Sequence, residues 1–230
     1  MSDGQAVEGV RHDCTFSAEL WPHLRAAMEG RRRVLDPFAG VGTIHQLAPA
    51  ATETLGIEIE PEWADCHPQT ICGDVQRILP RLLRGERPGW EHGDAVVTSP
   101  CYGNREADYF DAKDGSRRHG YGFSLGRRPS AASAANMTFG PDYCRFHYRV
   151  ILRLADWLEP GAIFVLNMKD HPVRTKRVRV CDWWIGVTIM CGFELVNTVE
   201  VDTRGAPGAN RSEYPECLFT FRREENHDRH

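Results

Sequence analysis

The chain has 230 residues, 41% of them hydrophobic, with 28 basic against 32 acidic side chains and a formal net charge of −4. That content supports one domain with a sizeable core, and the slight acidity excludes a globally basic nucleic-acid coat, so any polyanion must meet a local basic surface. No apolar run reaches the length of a bilayer span, no secretory leader precedes the eight cysteines and no Cys-x-x-Cys pair occurs, so the expectation is a cytoplasmic protein with reduced thiols and no membrane partner.

Met1 to Asp13 reads as a loose polar arm. Phe16, Leu20, Leu24 and Met28 then recur at helical spacing behind Thr15 or Ser17, and Gly30 stops the helix. The next stretch, Arg33 to Ile44, organises the chain. Apolar residues run into Asp36, Pro37, Gly40 and Gly42 break the strand, and a helix pattern begins near Thr43 and ends at about Pro49. This is the strand, tight turn, helix order of an α/β nucleotide site, in which glycines admit a ligand to backbone N–H groups and the helix N-terminus adds donors.

Thr54 to Ile59 forms a second strand that carries Glu58, where a ribose can be held through its hydroxyls, and Pro61 to Ala64 a short helix. Thr70 to Cys72 is a third strand, closed by Gly73-Asp74, and Val75 to Leu83 is a helix with Ile78, Leu79 and Leu82 inward. The alternation implies parallel pairing. Asp65, Cys66, His67 and Cys72 match no usual zinc spacing, so no metal is expected. A fourth strand, Asp94 to Thr98, delivers Ser99-Pro100-Cys101-Tyr102 at its carboxyl end, where open parallel sheets place ligands.

Regular periodicity then stops from Gly103 to about Gly140. This stretch holds Arg105, and then Arg117, Arg118, His119, Arg127 and Arg128 in one acid-free run, together with Tyr109, Phe110, Tyr121 and Phe123. It is either a solvated surface loop or a basic lid that orders on a polyanion and stacks on bases. Tyr143, Phe146, Val150, Leu154 and Trp157 step along one helix face, and Ala162 to Asn167 is an apolar fifth strand followed by Lys169-Asp170-His171. After the basic residues Arg174, Lys176, Arg177 and Arg179, a helix spans Cys181 to Met190. Phe193 to Val201 and Glu216 to Phe221 close the sheet as an antiparallel pair, and Arg222 to His230 is expected to fray.

Asp36-Pro37-Phe38-Ala39-Gly40-Val41-Gly42-Thr43 resembles the cofactor loop of S-adenosylmethionine-dependent amino-methylating DNA methyltransferases, and Ser99-Pro100-Cys101-Tyr102 resembles their catalytic tetrapeptide, with Cys101 in place of a second proline. Tyr102-Gly103-Asn104-Arg105 and Gly208-Ala209-Asn210-Arg211 are also similar to segments of such enzymes from bacterial viruses, which would place the protein in a host cytoplasm. The resemblance implies a Rossmann-like methyltransferase fold, α/β, with a seven-stranded, mostly parallel sheet and a closing antiparallel strand. It implies one domain over 1–230, with 103–140 as a candidate target-recognition insert.

It further implies S-adenosyl-L-methionine as cofactor and double-stranded DNA as partner, a homodimer being open. Phe16, Asp36, Pro37, Phe38, Gly40, Gly42 and Thr43 would surround the cofactor, Glu58 its ribose and Asp74 its adenine, while Arg105, Arg117, Arg118, Arg127 and Arg128 would meet DNA. Ser99 favours the N4 amine of cytosine over the N6 amine of adenine. Other readings stay open: a cytosine-5 enzyme with Cys101 as nucleophile, an RNA base methyltransferase, or an inactive binding module on the same fold.

Overall fold

A computed structural model of the chain describes residues 16–47, 53–103, 120–173, 176–202 and 214–225. A short 3₁₀ turn leads into α1 (Trp21–Met28), followed by β1 (Arg33–Asp36), a 3₁₀ turn at Thr43–Leu47, β2 (Glu53–Glu58), α2 (Pro61–Ala64), β3 (Thr70–Cys72), α3 (Val75–Leu83) and β4 (Gly93–Thr98). Beyond the tetrapeptide come α4 (Tyr121–Leu125), a 3₁₀ turn at Ala134–Asn136, α5 (Pro141–Trp157), β5 (Leu158–Met168), β6 (His171–Val173), β7 (Lys176–Val178), α6 (Val180–Met190), β8 (Phe193–Val201) and β9 (Glu216–Arg223).

The described residues form a seven-stranded sheet in the order β3-β2-β1-β4-β5-β9-β8, with β6 and β7 as a separate hairpin. The first five strands of that order pair in parallel, and β9 runs antiparallel between β5 and β8. This is the expected α/β architecture. The chain winds outward from β1 to β3 and then crosses back to β4 on the other side of β1, so the carboxyl ends of β1 and β4 frame the crevice where such sheets hold ligands.

Alternation along the strands sends side chains to two cores. Leu35, Leu55, Ile57, Val96, Phe164 and Leu166 pack with the apolar faces of α3 and α5, whereas Val34, Ala95, Val97, Ile163 and Val165 pack with Leu20, Leu24 and Met28 of the N-terminal helix. At the end of the sheet away from the crevice, Trp157 donates its indole N–H to the Trp90 carbonyl at 2.8 Å, fixing α5 to the approach of β4.

Several elements differ from the sequence reading. The helix expected after Thr43 is a five-residue 3₁₀ turn, and Pro49 lies outside the described residues. Ile44 and Leu47, three apart, bury together, a spacing suited to a 3₁₀ turn, and His45 is held by Thr54 Oγ1 at 2.8 Å and Thr70 Oγ1 at 3.0 Å while stacking on His67. β5 begins at Leu158 rather than Ala162, because the chain enters the ladder at Gly93 and bulges before regular pairing resumes at Ala95 and Ile163. Arg222 and Arg223 continue β9 instead of fraying, the latter donating to the carbonyls of Ala155 and Gly192. The hairpin of β6 and β7 was not anticipated. The part of 103–140 that is described, from Gly120 onward, carries α4 and a 3₁₀ turn and buries Ser133, Ala134 and Ala135, so it is packed structure and not a bare solvated loop.

No helix among the described residues is long and apolar enough to cross a membrane.

Candidate functional site

β1 delivers Asp36 into a nearly sealed position, 2% exposed. One carboxyl oxygen accepts the Phe38 N–H at 2.9 Å and the Thr98 hydroxyl at 2.7 Å, tying the carboxyl ends of β1 and β4 together. Burial outweighs these donors and pushes the Asp36 pKa up to about 7. The loop that follows lies on β2: Ala39 N–H donates to the Ile57 carbonyl and Gly40 N–H to Glu58 Oε2, each at 2.9 Å. Gly42 is required here, with φ near +80° and space so tight that a Cβ would stand 2.8 Å from the His45 ring.

Glu58 takes the Glu60 N–H on its other oxygen at 2.8 Å. Burial, with some addition from the Glu60 charge, raises its pKa to about 7 against the N–H donors. Asp74 caps α3 by accepting the Gln76 N–H at 2.9 Å, the local reason that this helix starts where it does.

The tetrapeptide is held from behind by α5 and α6. Ser99 Oγ lies 3.2 Å from the Tyr102 hydroxyl. The Cys101 carbonyl accepts the Tyr143 hydroxyl at 2.7 Å, and that hydroxyl in turn accepts the Trp184 indole N–H at 2.9 Å. Tyr143 is fully buried and burial raises its pKa well above the usual phenol value, so it stays a donor. Gly103 turns at φ +72°, and its carbonyl accepts the Phe139 N–H at 2.7 Å. A Cβ on Gly103 would come within 2.8 Å of that same nitrogen, so only glycine allows this approach.

Pro37, Phe38, Gly40, Glu58, Asp74, Ser99 and Cys101 line one cleft. Tyr121, Ala132, Ser133, Ala134 and Phe146 complete its lining. Asp36, Gly42, Thr43, Pro100 and Tyr102 are not in the lining: Asp36 and Pro100 are buried, Gly42 and Thr43 shape the loop, and Tyr102 is half-buried against the core. Phe16 packs edge-on to Trp21 in the core beneath α1 and also stands apart from the lining. A separate hollow lined by His92, Asp156, Glu159 and Arg223 lies at the start of β5, remote from the tetrapeptide.

Among the predicted basic contacts, Arg127 is engaged by Glu60 and Glu62, and Arg128 is exposed. Arg105, Arg117 and Arg118 lie outside the described residues, as do Tyr109, Phe110 and the 208–211 segment. Among the described residues no group of three or more His, Cys, Asp or Glu side chains is placed to hold a metal ion.

Sequence reasoning missed the roles of Tyr143, Trp184, Glu60 and Ser130. The helical period placed Tyr143 in the core without revealing that its hydroxyl reaches the tetrapeptide. Nothing local links Glu60 to partners some seventy positions later.

No protein-family model matches the chain, and no curated protein is similar to it. Solved structures do match. An S-adenosylmethionine-dependent methyltransferase described as putative, from Listeria monocytogenes, superposes with TM-score 0.53 at 12% identity over 90% of this chain and 99% of its own. A Burkholderia thailandensis 1,6-didemethyltoxoflavin-N1-methyltransferase, solved with S-adenosylhomocysteine bound, matches with TM-score 0.50 at 14% identity over 90% and 79%. TrmN from Thermus thermophilus matches at TM-score 0.48 and 16% identity over 89% of this chain, which spans 48% of that protein. At these identities the Listeria and Burkholderia matches define the fold alone, a Rossmann-like α/β sheet.

Proposed function

We propose that the chain transfers a methyl group from S-adenosylmethionine to an exocyclic amino group of a DNA base, the N4 amine of cytosine in preference to the N6 amine of adenine. The observation that carries this reading is the convergence of the glycine loop, Glu58, Asp74, Ser99 and Cys101 on one cleft at the crevice between β1 and β4. The donor set suits the cofactor. Glu58 accepts backbone N–H groups from Gly40, Ile59 and Glu60, and a carboxylate offers about four acceptor sites, which leaves capacity for a ribose hydroxyl. The cofactor-product complex of the Burkholderia enzyme supports the same assignment. DNA as substrate rests on the resemblance of the tetrapeptide.

When bound, the cofactor supplies an electrophilic methyl group. The chain's own task is to make a poor nucleophile adequate, since an aromatic amine delocalises its lone pair into the ring. Ser99 Oγ and the Pro100 carbonyl accept the two amine N–H bonds, which drives the nitrogen toward tetrahedral geometry and frees the pair. The proline ring fixes φ at Pro100, and the Tyr143 hydroxyl on the Cys101 carbonyl fixes the peptide beyond it. Ser99 Oγ and the Tyr102 hydroxyl share one hydrogen bond, and with Ser99 as its donor both serine lone pairs are left for the amine. Stacking of Tyr102 on a base that has left the duplex rests on the resemblance alone, since its ring packs against the core beside the cleft.

One observation favours a second reading: Cys101 itself lines the cleft, where a thiolate could add to C6 of cytosine and activate C5. That chemistry also calls for a carboxylic acid on the fifth strand, and the corresponding residues here are Leu166-Asn167-Met168. Labelled methyl transfer to duplex DNA and to RNA, followed by digestion to nucleosides and mass spectrometry, tests both. N4-methylcytosine is expected, N6-methyladenine would correct the base, and 5-methylcytosine or methylated RNA alone would overturn the reading.

A further inference from the structure

The wall of the cleft opposite the glycine loop is fastened from outside. Glu60 has no solvent exposure, a costly place for a carboxylate unless donors surround it. Its Oε1 accepts the Ser130 N–H at 2.8 Å, and its Oε2 accepts the Ser130 hydroxyl and Arg127 Nη2, both at 2.9 Å. Arg127 is shared with Glu62, to which it donates through Nε at 2.7 Å and through Nη2. Glu62 is drawn below the usual carboxylate range by this guanidinium, and Arg127 is raised by it. Close by, Tyr121 meets the Trp63 ring edge-on at 4.7 Å, and Asn136 donates to the Ser130 carbonyl at 2.8 Å, folding 130–136 onto itself.

These bonds join the segment after the tetrapeptide to α2, the element that follows Glu58. Between the fastened residues lie Ala132, Ser133 and Ala134, which line the same cleft as Glu58 and Asp74. Two carboxylates meet the one Arg127 guanidinium, so its charge is matched within the protein and little is left for a phosphate.

We propose that Arg127 and Ser130, gripped by Glu60 and Glu62, are a latch that holds the Ala132–Ala134 stretch closed over the adenosine end of the cofactor, so that Arg127 is a positioning residue for nucleotide binding and not a contact to DNA. The inference rests on the cofactor assignment above. It reverses what a basic side chain in a basic run would suggest. Its physical content is that the nucleotide is enclosed between strand ends and a wall borrowed from the catalytic half, and that the wall's position depends on a planar fork able to meet two carboxylates at once.

Calorimetric titration of S-adenosylhomocysteine, and of adenosine alone, into the full chain tests it, with Arg127→Ala, Arg127→Lys and Ser130→Ala compared with wild type. Arg127→Ala is expected to weaken both ligands roughly tenfold, the scale of a lost charge-assisted hydrogen-bond pair, and Ser130→Ala to weaken them less. Arg127→Lys should recover affinity only in part, since an ammonium cannot bridge both acids. Amide exchange should quicken over 120–136 and not in α3, and the salt dependence of DNA binding should be unchanged. Unaltered nucleotide affinity in a folded Arg127→Ala or Ser130→Ala protein overturns the latch, most decisively if DNA binding then shows a shallower salt slope. Wild-type protein that binds neither ligand would instead remove the cofactor assignment itself.

Discussion

The two sides of the cleft are built by opposite means. Along the strand ends most of the described bonds are short in sequence, Asp36 to Phe38, Glu58 to Glu60, Asp74 to Gln76 and Gly40 to Glu58 across 18 positions, with Thr98 to Asp36 across 62 as the exception. Around the tetrapeptide and the facing wall they join residues 42, 41, 67 and 70 positions apart, through Tyr143, Trp184, Arg127 and Ser130. A side assembled from neighbouring residues carries its turn and cap chemistry in the sequence itself, whereas a side assembled from distant partners does not.

The largest effect that would sharpen this contrast is at the tetrapeptide. Ser99→Ala is expected to lower kcat by about a hundredfold or more while leaving cofactor affinity nearly intact, because the acceptor acts where the transition state is held. Cys101→Ala and Cys101→Pro should retain measurable transfer. Loss of all turnover in Cys101→Ala, with covalent trapping on DNA that contains 5-fluorocytosine, would transfer the chemistry to the thiol.

On the strand-end side, Glu58→Ala should weaken S-adenosylmethionine by about one to two orders of magnitude in calorimetry. Equal affinity in a folded variant would break the ribose assignment.

A smaller effect, of about tenfold on kcat, is expected for Tyr143→Phe. The variant keeps the ring and removes the hydroxyl between the Cys101 carbonyl and the Trp184 indole, leaving both buried groups without it. Cofactor affinity should move less than kcat; a matching loss of both would mean that Tyr143 serves only the core.

The smallest effect is in pH. Glu58 has its pKa raised to about 7, and its ionised form is the better acceptor of ribose hydroxyls, so affinity should rise severalfold from pH 6 to 8 and then level, a trend absent in Glu58→Gln. Stability runs the other way for the same group. Between the unfolded carboxylate range and about 7, the native state holds protons on Glu58 and Asp36 that the unfolded chain has released, so their contribution falls as pH rises through that window. His45 and His147, lowered to about 3 by burial, oppose it, because the unfolded chain binds their protons below about 6.5 and stability drops as pH falls. Glu58→Gln should therefore gain stability more steeply than wild type between pH 4.5 and 6.5 in chemical denaturation, a comparison that fails if the two curves superpose.

Periodicity and turn chemistry made much of the sheet legible. Apolar runs marked β4 and β5, the inward spacing of Ile78, Leu79 and Leu82 marked α3, and Gly40 and Gly42 marked the loop. The short turn at Thr43–Leu47 escaped because its length is set by what His45 reaches on β2 and β3, which no local pattern records. Residues 120–136 escaped because their order comes from Glu60 and Trp63, not from a period of their own. In sequence Arg127 is one charge in a basic run; its pairing with Glu60 and Glu62 is visible only in the fold.

The hydroxyl of Tyr143, bonded at once to the tetrapeptide and to α6, bears on how the protein acquires its activity. Contacts between distant segments close late in folding, after local turns have formed. A chain with its glycine loop set on β2 but with α5 and α6 still undocked would have the means to recognise a nucleoside and no means to aim Ser99 or Pro100. During refolding, recovery of adenosine binding should then precede recovery of turnover, and the interval between them would time the docking of α5 and α6.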